Sequence, residues 1–218
     1  MAAIAENLQL VKARIARFPG VILLAVSKSQ DVERMRAALA AGQRAFGENY
    51  VQEAVRKMQL LPKLEWHLIG PLQSNKTRIV AEHFDWVQTL AGEKVARRLS
   101  EQRPAALAPL NVLIQVNVSA EGTKSGLAPG AVEGLARIVS AMPRLRLRGL
   151  MAIPQPGAER SAYRQMKQLY DSLQSRFDFD TLSMGMSDDL DIALEEGATM
   201  VRVGTAIFGE RKKQKDAA

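Results

Sequence analysis

Residues 23–31 read LLAVSKSQD, and the lysine that closes this apolar run, Lys28, is either a strand end reaching for water or an amine held in a pocket for chemistry. Two later stretches gather small and hydroxyl residues where an anion could sit. In SMGMSDD, residues 183–189, Ser183 and Ser187 lead into a helix start whose free N–H groups and positive dipole end attract negative charge. In RVGTAIFG, residues 202–209, Gly204 allows close backbone approach and Thr205 adds a hydroxyl donor. Arg202 sits between Val201 and Val203, so strand alternation turns it and Gly204 to the face opposite the valines, and a buried guanidinium needs an acceptor. Each feature has an ordinary alternative: a snorkelling lysine, a cap at Ser187, a tight turn at Gly204, an arginine paired with Glu48 or Glu65. Together, an amine made nucleophilic by partial desolvation and an anion cradle would suit a phosphorylated aldehyde held as a Schiff base.

The elements that must position these residues follow from hydrophobic period. Ile4, Leu8, Val11, Ile15 and Phe18 recur at helical spacing and predict an amphipathic helix over residues 4–18, stopped by Pro19 and Gly20. The β-branched run VILLAV then precedes a helix from Asp31, its N-cap, with Val32, Met35 and Leu39 on one face and Gly42 ending it. The alternation repeats. RAFGE, EWHLIG and DWVQTL each precede a helix, the first of these carrying Val51, Ala54, Val55, Met58 and Leu61. LNVLIQVNV at 110–118 feeds a helix with Val132, Leu135, Val139 and Met142 on one face, and LRGLMAI feeds one with Tyr163, Met166, Tyr170 and Leu173. TLSMG, a helix over 188–196 and MVRVGT complete eight strands.

Strands alternating with helices pair in parallel, and eight such units predict a single (β/α)₈ TIM barrel with an extra N-terminal helix. A doubly wound open sheet is the alternative, weakened because no G-x-G-x-x-G follows the first strand. In a barrel the site gathers at the carboxyl ends of the strands, with phosphate at the loops after strands 7 and 8. That rule brings Lys28, Asn49, His67, Asn117 and Met151 to one rim, opposite the two glycine turns. The ligand this suggests is pyridoxal 5′-phosphate.

Composition narrows the alternatives. The 218 residues hold no cysteine and two histidines, which excludes a disulfide or thiolate site and argues against zinc and for a reducing cytoplasm. The N-terminal segment carries a charge every few residues, so neither a signal peptide nor a membrane span is expected. A net charge of +7 raises nucleic acid as a partner, but the dense runs, RLRLR at 144–148 and RKKQK at 211–215, lack interleaved aromatics, and no nucleic-acid partner is expected.

The stretches AVSKSQ (25–30), FGENYVQEA (46–54), EWHLIGPLQSNK (65–76), GTKSG (122–126), LRGLMAIP (147–154), LSMGMSDDLDIA (182–193) and VRVGTAIFG (201–209) span almost the whole chain and resemble the pyridoxal phosphate homeostasis protein family, which includes bacterial members and the human proline synthetase co-transcribed homologue. The resemblance implies a barrel like the alanine racemase N-terminal domain. It also implies an imine on Lys28, Arg202 facing the pyridine nitrogen, phosphate held by Ser183, Ser187, Gly204 and Thr205, and Asn49 and His67 beside the ring. Family members commonly read SKTK where this chain reads SKSQ, so Gln30 replaces a second lysine, which leaves Lys124 as the remaining amine candidate for transient cofactor contact.

An arginine can donate a hydrogen bond to the pyridine nitrogen but does not give up its proton to it, so the ring stays a poor electron sink. Of the three tyrosines, Tyr163 and Tyr170 fall on a helix core face and only Tyr50 is left for the site, so racemisation lacks a second base opposite Lys28. The expectation is therefore a non-enzymatic, cytoplasmic, monomeric protein of vitamin B6 homeostasis, with residues 1–210 the binding barrel and 211–218 a basic tail. It would hold pyridoxal phosphate and pass it to apo-enzymes that use the cofactor; a small racemase with the same cofactor is the alternative.

Overall fold

The computed structural model describes residues 2–61, 63–118, 125–155, 157 and 159–210; Lys124 and the tail 211–218 lie outside the described residues. Helix α1 (Ala2–Ile15) buries Ile4, Leu8, Val11 and Ile15, as their spacing predicts. Strand β1 (Ile22–Val26) is followed by α2 (Val32–Ala40), capped by the Asp31 side chain, which accepts from the Arg34 N–H. The units β2 (Ala45–Glu48) with α3 (Val51–Leu60), β3 (Glu65–Leu68) with α4 (Thr77–His83), and β4 (Trp86–Leu90) with α5 (Glu93–Gln102) repeat the pattern. So do β5 (Leu110–Val116) with α6 (Val132–Ser140), β6 (Leu145–Ala152) with α7 (Arg160–Phe177), and β7 (Thr181–Ser183) with α8 (Leu190–Glu195). Strand β8 (Met200–Val203) ends the sheet, and a four-residue helix, α9 (Thr205–Phe208), follows inside what the sequence showed only as a glycine turn.

All neighbouring strands pair in parallel, and β1 closes on β8 through Leu24↔Arg202 and its flanking pairs, so the sheet is a closed eight-stranded barrel and not a doubly wound open one. Alternation sorts the strand residues into two populations. Trp86, Leu113, Met151 and Met200 form a cluster inside the barrel, whereas Val87, Ile114, Leu150, Ala152, Val201 and Val203 belong to the larger core between sheet and helices. Period-2 geometry therefore fixes Arg202 on the inner face with Met200.

All but the first residue of the basic run RLRLR form the start of β6. Leu145 and Leu147 are buried, Arg148 lies over the Trp86 ring and pairs with Asp180, and Arg144 donates to the Pro104 and Leu107 carbonyls. On α3, Lys57 is 5% exposed on the same face as Val51 and Ala54, a position the apolar pattern alone did not mark. Among the described residues no helix is long and apolar enough to cross a membrane, and no three His, Asp or Glu side chains are grouped to hold a metal.

Candidate functional site

A cavity of about 260 Å³ opens at the carboxyl ends of the strands. Lys28, two residues beyond β1, stands in its wall half-buried, with Asn49 beside it after β2. Arg202 reaches it from β8, and Ser187, Gly204 and Thr205 line the side formed by the last two loops. Asn49 Oδ1 is buried and accepts no hydrogen bond from the protein. Thus six of the ten residues expected at this rim from sequence share one cavity.

The two glycine turns do meet. The Ala206 N–H donates to Ser187 Oγ at 3.2 Å, tying the loop after β7 to the start of α9. A Cβ on Gly204 would lie 3.2 Å from the Val26 carbonyl oxygen, so the close approach this glycine permits is to β1, two residues before Lys28. At Gly185, φ is +93° and a Cβ would fall 2.4 Å from Ala193 Cβ, so a side chain there would push the turn off α8. Asp189 is turned away from the cavity, its carboxylate accepting from the Met186 N–H and the Tyr163 hydroxyl, and only the exposed Asp188 reaches the rim. Burial first, and then Asp189, hold the Tyr163 phenol well above its ordinary pKa, so it remains a donor to that carboxylate. Tyr50 is exposed and is not part of the cavity wall.

Four expected residues lie elsewhere, and one of them, Asn117, stands just beyond β5 without lining this cavity. Met151 is fully buried in the inner cluster, one layer below the cavity. Ser183 and His67 are equally buried and belong to a hydrogen-bonded chain that crosses the barrel interior. Arg202 Nη1 donates to Ser183 Oγ at 2.8 Å, Ser183 donates to Gln88 Oε1 at 2.7 Å, Gln88 Nε2 meets His67 Nδ1 at 2.9 Å, and His67 Nε2 meets Glu65 Oε1 at 2.6 Å. The direction is forced from the arginine end, because a guanidinium only donates. Ser183 must therefore pass its proton to the Gln88 oxygen, the Gln88 amide must donate to Nδ1, and His67 must carry its proton on Nε2, facing the carboxylate. Ser183 Oγ is thus turned to Arg202, and His67 stacks on Trp86, ring centroids 5.0 Å apart, at the far end of the chain. Neither Glu48 nor Glu65 pairs with Arg202, whose second contact is the Ala152 carbonyl at 2.8 Å.

Burial pulls the Arg202 pKa down to about 10, still well above neutrality, so the cavity floor is cationic. Burial lowers the His67 pKa below 6.5, with Glu65 opposing, and the His67 hydrogen bond holds Glu65 below its ordinary value of 4.5. A base with a lowered folded pKa lets the unfolded chain take up the proton first, so stability should begin to fall as pH drops below 6.5. The Glu65 contribution is then lost below 4.5 in the same direction. Urea midpoints across pH 8 to 5 should show the first part of this slope flattened in the His67→Gln variant. An equal slope in the two proteins would mean that His67 is not the neutral link.

Ile69 and Gln88 were legible but missed, since each follows an inward residue, His67 or Trp86, at spacing two. Gln30, noted in the sequence only as a departure from relatives, lies on the cavity wall.

The alanine racemase N-terminal domain family matches residues 1–212. The pyridoxal phosphate homeostasis protein of Pseudomonas aeruginosa is 54% identical to this chain, with 97% of each covered, and that of Escherichia coli K12 is 50% identical, covering 99% of this chain and 97% of the relative. The structure of PipY from Synechococcus elongatus with PLP bound superposes with a TM-score of 0.85 at 36% identity, over 94% of this chain and all of that one.

Proposed function

This chain belongs to the alanine racemase N-terminal domain family, and from that premise we propose that it binds pyridoxal 5′-phosphate in the cavity at the barrel mouth and serves vitamin B6 homeostasis. The observation that carries the proposal is the convergence of Lys28, Arg202, Ser187 and Thr205 on one cavity of about 260 Å³. These donors suit the cofactor's three handles: an aldehyde for the amine, a ring nitrogen for the guanidinium, and a phosphate for the hydroxyl side. The unpartnered Asn49 oxygen offers an acceptor beside the ring. Lys28 Nζ would add to the aldehyde carbon, forming a carbon–nitrogen double bond and releasing the carbonyl oxygen as water.

Arg202 decides what kind of site this is. It is charged, it can only donate, and Ser183 and Ala152 hold it in place, so it would bond the ring nitrogen without protonating it. A ring left unprotonated stabilises a carbanion poorly, which favours keeping the cofactor over turning it over. We therefore propose a carrier, working as a cytoplasmic monomer, that keeps the free aldehyde low and passes the cofactor to apo-enzymes. Its binding unit is residues 1–210, with 211–218 a basic tail.

The test is direct. The purified protein should take up pyridoxal phosphate with a new visible absorbance, and borohydride reduction followed by peptide mapping should place the label on Lys28. A label on another lysine, or none, would overturn the proposal, and sustained exchange of the alanine α-hydrogen in heavy water would overturn the carrier part of it.

A further inference from the structure

We propose that Glu53 and Lys57, one turn apart on α3, are positioning residues for Lys28: they grip the backbone on either side of it and fix where its amine is delivered. The inference rests on Lys28 being the amine that meets the cofactor.

The grip is visible atom by atom. The Ser27 carbonyl accepts from Lys57 Nζ at 2.7 Å, and the Ser29 N–H donates to Glu53 Oε1 at 2.7 Å. Lys57 Nζ also donates to that same Glu53 oxygen and to Glu48 Oε1, each at 2.7 Å, so its three protons are all engaged. Ser27 Oγ closes the cluster on Glu48 Oε1 at 2.6 Å. The residues before and after Lys28 are thus bound to one ammonium and one carboxylate of the same helix, while Lys28 itself faces the cavity.

Two further observations point to position as the purpose. Ser29 has φ of 59°, a left-handed conformation that side chains other than Asn and Asp seldom adopt, and such residues persist only where the surroundings over-determine them, often at ligand sites. Its N–H is the group Glu53 holds. In addition, the Gln30 N–H donates to the Ser27 carbonyl at 3.0 Å, so the turn over residues 27–30 is closed on itself as well as fastened to α3. Buried charge of this kind gives little stability that apolar packing would not give equally well. What it does give is a fixed origin for a long side chain. A reacting group displaced by about 1 Å can lose roughly 100-fold in rate, and Lys28 reaches the cavity through a flexible four-carbon stem.

The experiment uses Glu53→Ala and Glu53→Gln in the full chain. Glu53 is the choice because its side chain is 21% exposed and its removal leaves the Lys57–Glu48 pair intact. Without cofactor, Glu53→Ala should exchange the Ser29 amide hydrogen faster than the parent. With pyridoxal phosphate, it should develop the imine absorbance about 10- to 100-fold more slowly. Glu53→Gln keeps an acceptor oxygen and should restore part of both. A wild-type rate of imine formation in Glu53→Ala would overturn the inference, whether or not the amide is freed, and so would unchanged exchange at Ser29. Should Glu53→Ala melt below the assay temperature, Glu53→Gln decides alone, a slowed rate supporting the inference and an unchanged one overturning it. If the parent protein itself takes no label on Lys28, the proposed function has failed, and that is seen before any variant is made.

Discussion

The Lys28→Ala variant should fold like the parent yet yield no borohydride-stable label and no imine absorbance. The effect should be complete, because Lys28 is the only amine among the described residues lining the cavity. The nearest substitute, Lys57, is buried and engaged with Ser27, Glu48 and Glu53, so it cannot take over. Retained binding is expected even so, since Arg202, Ser187 and Thr205 are untouched and would still hold the ring nitrogen and the phosphate. Equilibrium dialysis should therefore find weakened, reversible uptake of pyridoxal phosphate, where trapping finds nothing. Stability should change by no more than about 0.5 kcal/mol, the usual range for a partly exposed side chain outside the core. A labelled Lys28→Ala protein would show that a second lysine does this work.

The largest effect on stability should come from Lys57→Met. Lys57 and Glu48 form an ion pair through Oε1 at 2.7 Å with side chains 6% and 0% exposed, and Glu48 Oε2 is buried without a hydrogen-bond partner. Removing the ammonium strands a carboxylate in the space between barrel and helix, which typically costs about 3–5 kcal/mol. For a chain of this size that corresponds to a fall in Tm on the order of 10 °C.

The pH dependence identifies the cause. Burial already holds the Glu48 pKa above 4.5, with Lys57 opposing the rise, so loss of Lys57 should raise it further. An acid with a raised folded pKa binds its proton more tightly when folded. Its stabilising contribution is complete below 4.5 and is lost as pH rises through the folded value. The Lys57→Met deficit should accordingly be largest at and above neutral pH and shrink toward pH 5, measured as urea midpoints. Lys57→Met combined with Glu48→Gln should recover most of the loss and flatten its pH dependence. A deficit equal at pH 5 and pH 8 would rule out a stranded charge as the cause.

The two experiments separate the roles that one short segment combines. Lys28 bears on the ligand and hardly on the fold, while Lys57, only one layer away, bears on the fold and, through the Ser27 carbonyl, on the ligand. The Ser183–Gln88–His67 chain, buried throughout and ending on the exposed Glu65, plays a comparable supporting part under Arg202, giving its guanidinium a fixed acceptor without a carboxylate that would neutralise it.

The sequence by itself determined the parts governed by local period. Apolar spacing of 3.6 placed the core faces of α1, α6 and α7, and alternation with β-branched runs placed the strands; their number then implied the barrel, the rim, and Arg202 facing inward. Lys28, Asn49, Ser187, Gly204 and Thr205 followed because they stand at strand ends or in the loops beyond them. Depth along the barrel axis was decided only by the tertiary structure. Ser183, His67 and Met151 have the right inward parity, but parity does not say which layer a residue occupies, and the stagger of a closed sheet lowered all three beneath the cavity floor. The Lys57–Glu53 clamp was hidden for a related reason. A lysine on an apolar helix face reads as an interruption until the fold brings it against the Glu48 carboxylate and the Ser27 carbonyl, partners 9 and 30 residues away in the chain. Period records which face of an element is buried, and only the packed structure records what that face meets.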